Sequence, residues 1–322
     1  MNRKEFFKQI FKLGSGIVLG GTLSKVYSDI ASDEAQKLIA QATEKNPLNI
    51  KKLETFPDLA VTEGEEQRKI VRVAIDAIGG MKRFVKTGAN VVIKPNIGWD
   101  RIPVQCADTS PEVVGEVVKL CFEAGAKSVL IFDNPLNDPR ACYKRSGIED
   151  AAKKEGAIVE FAQERFFKTI DFPGTEFIKK WQVYTKVLEA DCFINIPVAK
   201  HHNSAGLTLA MKNNMGAISG NRGLYHQQMD LSIAELCTQI KPHLTILDAY
   251  RLLLRNGPQG GSLRDVKLEK KCVVGINQVS VDAYGATLFN KKPEDIGHIK
   301  IANKMGLGEI NLDKLTIKKI SV

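Results

Sequence analysis

The tract Asn195-Ile196-Pro197-Val198-Ala199-Lys200-His201-His202 closes an apolar run that begins at Cys192, and Met211-Lys212-Asn213-Asn214-Met215-Gly216 follows soon after. An apolar run of that length reads as a buried strand over 192–196, which here hands off to a loop that carries Lys200, His201 and His202. Lys and Asn donate hydrogen bonds to anionic oxygens, while neutral His ligates a metal or moves a proton. The competing reading is a polar loop of solvated charges.

The same ending recurs along the chain. Ala89-Asn90-Val91-Val92-Ile93 runs into Lys94-Pro95-Asn96, Ser128 to Phe132 into Asp133-Asn134-Pro135, and Leu244 to Leu247 into Asp248. In open parallel sheets, ligands sit beyond the carboxyl ends of the strands, so these endings predict one shared crevice. Asn96, Asn134, Asn195, Asn213 and Asn214 do not titrate and would orient a ligand, while Lys94, Lys200 and Lys212 would supply charge. Ser110, as N-cap of a helix opened by Pro111, would aim bare N–H groups at the same crevice. Together these residues describe a pocket for a phosphate or carboxylate. The titrating candidates are His201, His202, Asp133 and Asp248. Of two adjacent histidines, one can face the pocket while the other packs or is solvated, and His201 is read as the inward one. The catalytic set is then His201, Lys200 and Asp133, with His201, Asp133 or Asp248 as ligands if a divalent metal assists.

The ordered set Lys94-Pro95-Asn96, Thr109-Ser110-Pro111, Asp133-Asn134, Asn195-Ile196-Pro197 with Lys200 and His201, Met211-Lys212-Asn213-Asn214 with Gly216, Asn256-Gly257-Pro258 and Val281-Asp282-Ala283 resembles the DUF362 family of bacterial and archaeal proteins. The match runs from roughly Asn90 to the C-terminus. The resemblance implies an α/β domain with its site at the strand ends. It also implies export or association with iron-sulfur proteins, as many members are described, and it supplies no reaction.

Such a crevice needs alternating strands and helices around a sizeable core. At 322 residues, 43% hydrophobic and 26% charged, the chain can build one large core or two modest ones. The reading is an α/β fold, a mostly parallel sheet flanked by helices on both faces, over residues 66–322. Residues 29–65 read as a linker and outer helix, and residues 163–189 as a small insertion or lid, though the core-like Trp181 and Tyr184 argue equally for plain packing. Helices are expected over 65–78, 112–123, 149–154, 229–239 and 281–289, and from Leu207 or Thr208 into the Lys212-Asn213-Asn214 turn. Further strands are expected over 157–161, 271–275 and 315–322. Gly257-Pro258-Gln259-Gly260-Gly261 lacks the spacing of a phosphate-binding loop and reads as surface.

The formal net charge of +9 divides into +4 over residues 1–28 and +5 elsewhere, with no Arg/aromatic alternation or helix-turn-helix pattern. Nucleic acid is therefore not the expected partner, and a small anionic ligand is. No two of the six cysteines are closer than fifteen positions, so the tight spacing of a zinc ribbon or ferredoxin cluster is missing and the chain carries no iron-sulfur motif of its own. Ser-His-Asp hydrolysis is disfavoured because no Gly-x-Ser-x-Gly elbow occurs. Two function classes survive. One is an enzyme acting on a small anionic metabolite or cofactor, with or without a metal and redox-associated; the other is a non-catalytic cofactor-binding or maturation protein that works with a redox partner protein.

Arg3-Lys4-Glu5-Phe6-Phe7-Lys8 ahead of a Gly-rich, weakly apolar run resembles a twin-arginine export signal over residues 1–28, with Lys in place of the second Arg. The run, interrupted by Lys12, is too weak for a transmembrane span. Cleavage after Ser28 and retention as an anchor both remain open, so the expected location is periplasmic or membrane-anchored, the alternative being a cytoplasmic protein with an amphipathic leader. Fractionation tests this. Lys4→Arg should keep or increase translocation and Arg3→Lys with Lys4→Gln should block it, whereas an intact wild-type chain found wholly in the cytoplasm would refute export.

Overall fold

The computed structural model describes residues 56–322. The export signal, its cleavage position and the outer helix expected before Phe56 lie outside the described residues. Strands are β1 (Leu59–Glu63), β2 (Asn90–Pro95), β3 (Ser128–Ile131), β4 (Ile158–Val159), β5 (Phe167–Asp171), β6 (Lys180–Tyr184), β7 (Cys192–Ile196), β8 (Val198–His202), β9 (Gly206–Thr208), β10 (Leu244–Leu253), β11 (Val266–Gly275) and β12 (Ile317–Ser321). Helices are α1 (Gln67–Ala77), α2 (Pro111–Glu123), α3 (Pro139–Arg145), α4 (Ile148–Lys154), α5 (Lys186–Glu189), α6 (Ala210–Asn213), α7 (Met229–Leu236), α8 (Gln278–Thr287) and α9 (Gly297–Lys304).

Ten strands form one sheet in the order β12-β1-β11-β10-β7-β2-β3-β4, with β8 beside β10 and β9 beside β8. Pairing is parallel from β10 through β7, β2 and β3 to β4 and again between β1 and β12, while β11 runs antiparallel to both its neighbours and β9 to β8. A strand covered by helices on both faces needs apolar residues at every position rather than at alternate ones. Accordingly Val91, Ile93, Cys192, Ile194, Leu244 and Ile246 face the layer that holds α1, α2 and α4, while the intervening Val92, Phe193 and Leu247 face the layer that holds α7, α8 and α9. The six cysteines are buried, unbridged thiols. No helix among the described residues is long and apolar enough to cross a membrane.

Two expectations need correction and one alternative is decided. The linker reading took in Leu59–Glu63, which is a strand wedged between β11 and β12; its short Leu-Ala-Val-Thr pattern next to the polar residues 63–66 hid it. Val198–His202 is not a loop but a strand that continues past Pro197 in line with β7, pairs with β10 and folds back on β9, so Gly206–Thr208 is strand and the helix begins only at Ala210. Residues 163–189 form the β5–β6 hairpin, whose Phe172, Ile178, Val183 and Tyr184 are buried, and the hairpin is tied to residue 219 by Trp181 Nε1 donating to the Ser219 carbonyl at 2.8 Å. It is a packed flank of the core rather than a lid.

Removing β1 strips one partner each from β11 and β12 and takes away the buried Leu59 and Val61, each worth about 1.5–3 kcal/mol when buried. That is a large share of a typical domain's 5–15 kcal/mol. A chain beginning at Glu66 should therefore lose cooperative unfolding in denaturant, and one beginning at Phe56 should keep it.

Candidate functional site

The carboxyl ends of β2, β3 and β8, the turn of α6 and the segment 222–228 enclose a cavity of about 320 Å³. Its lining includes Lys94, Asn96, Asp133, Asn134, Lys200, His202 and Thr208 from strands and strand ends, and Lys212, Asn213, Gly216, Arg222 and His226 from α6 and the segments that follow it. Four of these side chains are cationic and one is a carboxylate.

Lys94 and Asn195 are register partners on β2 and β7, on the sheet face covered by α6. Lys94 Nζ donates to Asp133 Oδ1 at 2.8 Å, to the Pro95 carbonyl at 3.1 Å and to Asn213 Oδ1 at 3.2 Å, so all three ammonium protons are used. Burial pulls the Lys94 ammonium below the ordinary lysine value and Asp133 opposes that pull. Asp133 also accepts the N–H groups of Ile97 at 2.7 Å and Asn134 at 2.8 Å. Gly216 sits against this pair: a Cβ there would overlap Asp133 Oδ1 and stand 2.6 Å from Lys94 Nζ, so only glycine fits.

The asparagines form a directed chain. Lys200 Nζ donates to Asn96 Oδ1 at 3.0 Å, Asn96 Nδ2 to Asn213 Oδ1 at 2.9 Å, Asn213 Nδ2 to Asn195 Oδ1 at 2.8 Å, Asn195 Nδ2 to Asn214 Oδ1 at 3.4 Å and to the Ala210 carbonyl at 2.9 Å. Asn214 Nδ2 passes the bond to Gln278 Oε1 at 2.8 Å, and Gln278 ends it on the Ile240 carbonyl at 3.0 Å. A lysine ammonium has no lone pair, so its contact fixes which end of Asn96 is oxygen and, through it, every amide down the line. Asn195 and Asn214, expected as ligand donors, are therefore the buried floor that orients Asn213, while Asn96, Asn134 and Asn213 line the cavity.

Strand pleat decides the histidines. Lys200 lies opposite Thr208 on β9, and side chains two apart on a strand share a face, so His202 joins Lys200 and Thr208 in the cavity. His201 points away: its Nδ1 accepts the Gly257 N–H at 3.2 Å, and it does not line the cavity. The inward histidine is thus His202 and not His201, a consequence of β8 being a strand. His202 Nδ1 accepts the N–H groups of Ser204 and Ala205, both at 3.2 Å, which puts its proton on Nε2. Burial, with Lys212 and Lys200 nearby, lowers its pKa to about 3, so it is a neutral hydrogen-bond donor.

Two further expectations fail on geometry. Ser110 does not line the cavity; its N–H donates to Asp248 Oδ2 at 2.8 Å and its hydroxyl to Gln67, so the start of α2 is closed by a carboxylate from β10. Asp248 also accepts the Tyr250 N–H at 3.1 Å. With Asp248 so engaged, Asp133 paired to Lys94 and His201 turned to Gly257, the trio considered for a metal does not come together, and no group of three or more His, Cys, Asp or Glu among the described residues could hold one.

Lys200 has spent two of its three N–H groups, on Asn96 and on the Ala107 carbonyl, and burial lowers its pKa to about 8 against the opposing pull of Asp108. Asp108 accepts the N–H groups of Gly98 at 2.8 Å and Trp99 at 3.0 Å, and its own burial raises its pKa to about 7. Lys212 makes no hydrogen bond or ion pair among the described residues. Burial, then Lys200, Arg222 and Lys94, brings its pKa to about 7. Arg222 donates to the carbonyls of Asn134 at 2.9 Å and Pro135 at 3.3 Å and has no carboxylate partner within ion-pair distance among the described residues. The four-residue helix α6, which carries Lys212, is held at its start by Asp282, whose oxygens accept the N–H groups of Ala210 at 2.6 Å and Met211 at 2.9 Å. Sequence reasoning passed over Arg222, His226, Thr208 and the capping role of Asp282; the four-residue spacing of Arg222 and His226 is the sole linear trace of the first two.

A family model described as "Domain of unknown function (DUF362)" matches residues 91–287. A thylakoid-associated protein of Synechocystis is 29% identical over 207 residues, 62% of this chain, and the chain spans 63% of that relative's length. Among solved structures, a protein of Thermotoga maritima aligns with a TM-score of 0.44 at 9% identity, covering 75% of this chain and 60% of that one. The lactate racemase apoprotein of Thermoanaerobacterium thermosaccharolyticum aligns at 0.41 with 16% identity, covering 67% and 54%.

Folded Lys212 sheds its proton near pH 7, whereas the unfolded chain keeps it to about 10.5. Between those values the unfolded state binds the extra proton, so the penalty for burying this ammonium is full below pH 7 and is relieved as pH rises through the window. Denaturant titrations from pH 6 to 10 should show Lys212→Met more stable than wild type at pH 6, with the difference shrinking toward pH 10.

Proposed function

This chain belongs to the DUF362 family, and from its cavity we propose that it is an enzyme that binds a small metabolite bearing a carboxylate or phosphate and exchanges a proton with it through Lys212. One observation carries the reading. Lys94, Lys200, Lys212 and Arg222 line a cavity whose lining carboxylate, Asp133, is already spent on Lys94. Asp108 faces Lys200 from outside the cavity and offsets one charge when ionised. Buried charge without a partner is costly, and an anionic ligand removes that cost.

Each group then has a role that its surroundings support. The remaining N–H of Lys200 and the Arg222 guanidinium hold the anion. His202 Nε2–H and Thr208 Oγ1, a buried hydroxyl with no partner among the described residues, orient a second polar group of the metabolite. Lys212, with its pKa at about 7, exists as both amine and ammonium near neutrality, the condition for a general acid–base residue. Lys94 is saturated and serves as scaffold. The Arg3-Lys4 signal, together with a thylakoid-associated relative, supports an exported or membrane-associated place of work.

Isothermal titration with inorganic phosphate and with small carboxylates tests the anion site. Binding is expected for the anions and not for their neutral esters or alcohols. Lys200→Met should weaken it by about 1–3 kcal/mol, the worth of a charge-assisted hydrogen bond. Equal affinity in wild type and variant would remove the proposal.

A further inference from the structure

We propose that Lys212 is a nucleophile toward carbonyl carbon, and that the metabolite is an oxo compound whose carbonyl is condensed with Lys212 Nζ while its carboxylate or phosphate is held by Lys200 and Arg222. The inference rests on the anion-site reading and adds the substrate's second functional group.

The three lysines differ in what their nitrogens already do. Lys94 has given all three protons to Asp133, Pro95 and Asn213. Lys200 has given two, to Asn96 and Ala107. Lys212 has given none among the described residues, yet it stands in the cavity with Lys94, Lys200 and Arg222 around it and no carboxylate of its own. A nitrogen held by acceptors cannot offer its lone pair; an unheld one surrounded by cations is pushed toward the neutral amine. The effect of burial and those neighbours brings it to about 7, so free amine is plentiful at neutral pH.

The rest of the cavity fits a carbonyl group. Thr208 Oγ1 is buried, has no hydrogen-bond partner among the described residues and lines the cavity, and Thr208 lies opposite Lys200 across the β8–β9 ladder. His202 presents Nε2–H from two positions further along the same strand face. Neither is charged, so each can donate to a carbonyl oxygen without competing with the lysines for the anion. Asp282 fixes the turn that carries Lys212 by accepting the N–H groups of Ala210 and Met211.

The step balances without a co-reactant. The Nζ lone pair forms a bond to the carbonyl carbon, and the π pair moves to oxygen. Two protons leave nitrogen for that oxygen, the C–O bond breaks, and water departs, leaving an imine between Lys212 and the former carbonyl carbon.

Borohydride trapping on the full chain decides the matter. With pyruvate as the oxo carboxylate or dihydroxyacetone phosphate as the oxo phosphate, reduction should add the probe's mass less one oxygen atom at a single peptide containing Lys212, and the favoured probe identifies the anion. Acetone at the same concentration should give at least tenfold less, and inorganic phosphate should compete. Lys212→Met and Lys212→Arg, the second preserving charge if the first does not fold, should lose the adduct. Probe binding by titration without any adduct would overturn the imine and leave the anion site standing; neither binding nor adduct would overturn both. Labelling that persists in Lys212→Arg, or that spreads over surface lysines, would also overturn the imine.

Discussion

A lysine buried at the end of β2 sets the terms for everything around it. Taking an ammonium out of water costs several kcal/mol unless each of its protons finds an acceptor. Lys94 finds three, from three separate parts of the chain: the Pro95 carbonyl, the Asp133 carboxylate after β3 and the Asn213 amide on α6. Meeting that demand draws the ends of β2 and β3 and the turn of α6 into one place. Gly216 follows from the same demand, since any side chain there would strike the ion pair. The cavity exists because the second layer must come down onto Lys94 at one edge of the sheet and cannot close further.

The polarity of the amide chain extends that constraint. Two lysines at one end and the Ile240 carbonyl at the other force every intervening amide to point the same way, so each bond polarises the next. The line runs from Asn96, just past β2, to Asn213 on α6, on to Asn195 on β7, back to Asn214 just after α6 and then to Gln278 at the start of α8, the helix whose Asp282 caps α6. Position and electrostatics are thus set by one network, and a change at Gln278 reaches the cavity through Asn214, Asn195 and Asn213 rather than through the backbone alone.

Much of this was legible in the chain. Apolar runs ending in Lys-Pro-Asn, Asp-Asn or Asn-Ile-Pro mark strands of a buried parallel sheet, and the convergence of Lys94, Asn96, Asp133, Lys200, Lys212 and Asn213 on one cavity follows from the strand ends sharing an edge. Orientation was not legible. Reading 198–202 as loop removed the two-residue alternation that makes His202, not His201, the partner of Lys200. Five asparagines look alike in sequence, and only the acceptor demand of Lys200 and Lys94 singles out Asn96 and Asn213 at the cavity from Asn195 and Asn214 beneath them. Arg222 comes from a 3-10 segment with no periodic signal, and Ser110 looked like an open helix start because Asp248, 138 residues away in sequence, gives no local sign that it closes it.

The choice of amide over acid follows from the same physics. A carboxylate at Asn96 or Asn213 would satisfy the adjacent ammonium better than an amide does, and Lys94 shows that the fold can use one. It would also discharge the cavity, since each added carboxylate cancels one cation and fills the lone-pair geometry that a ligand's oxygen would occupy. An amide oxygen takes the lysine proton while leaving the net charge untouched, and its own N–H passes the bond inward. Asparagine therefore lets the protein bury lysines in fixed positions and keep their positive potential directed at the cavity. The three lysines then differ in what remains free on each nitrogen. Lys94 has all three protons engaged, Lys200 keeps one uncommitted, and Lys212 has none engaged among the described residues.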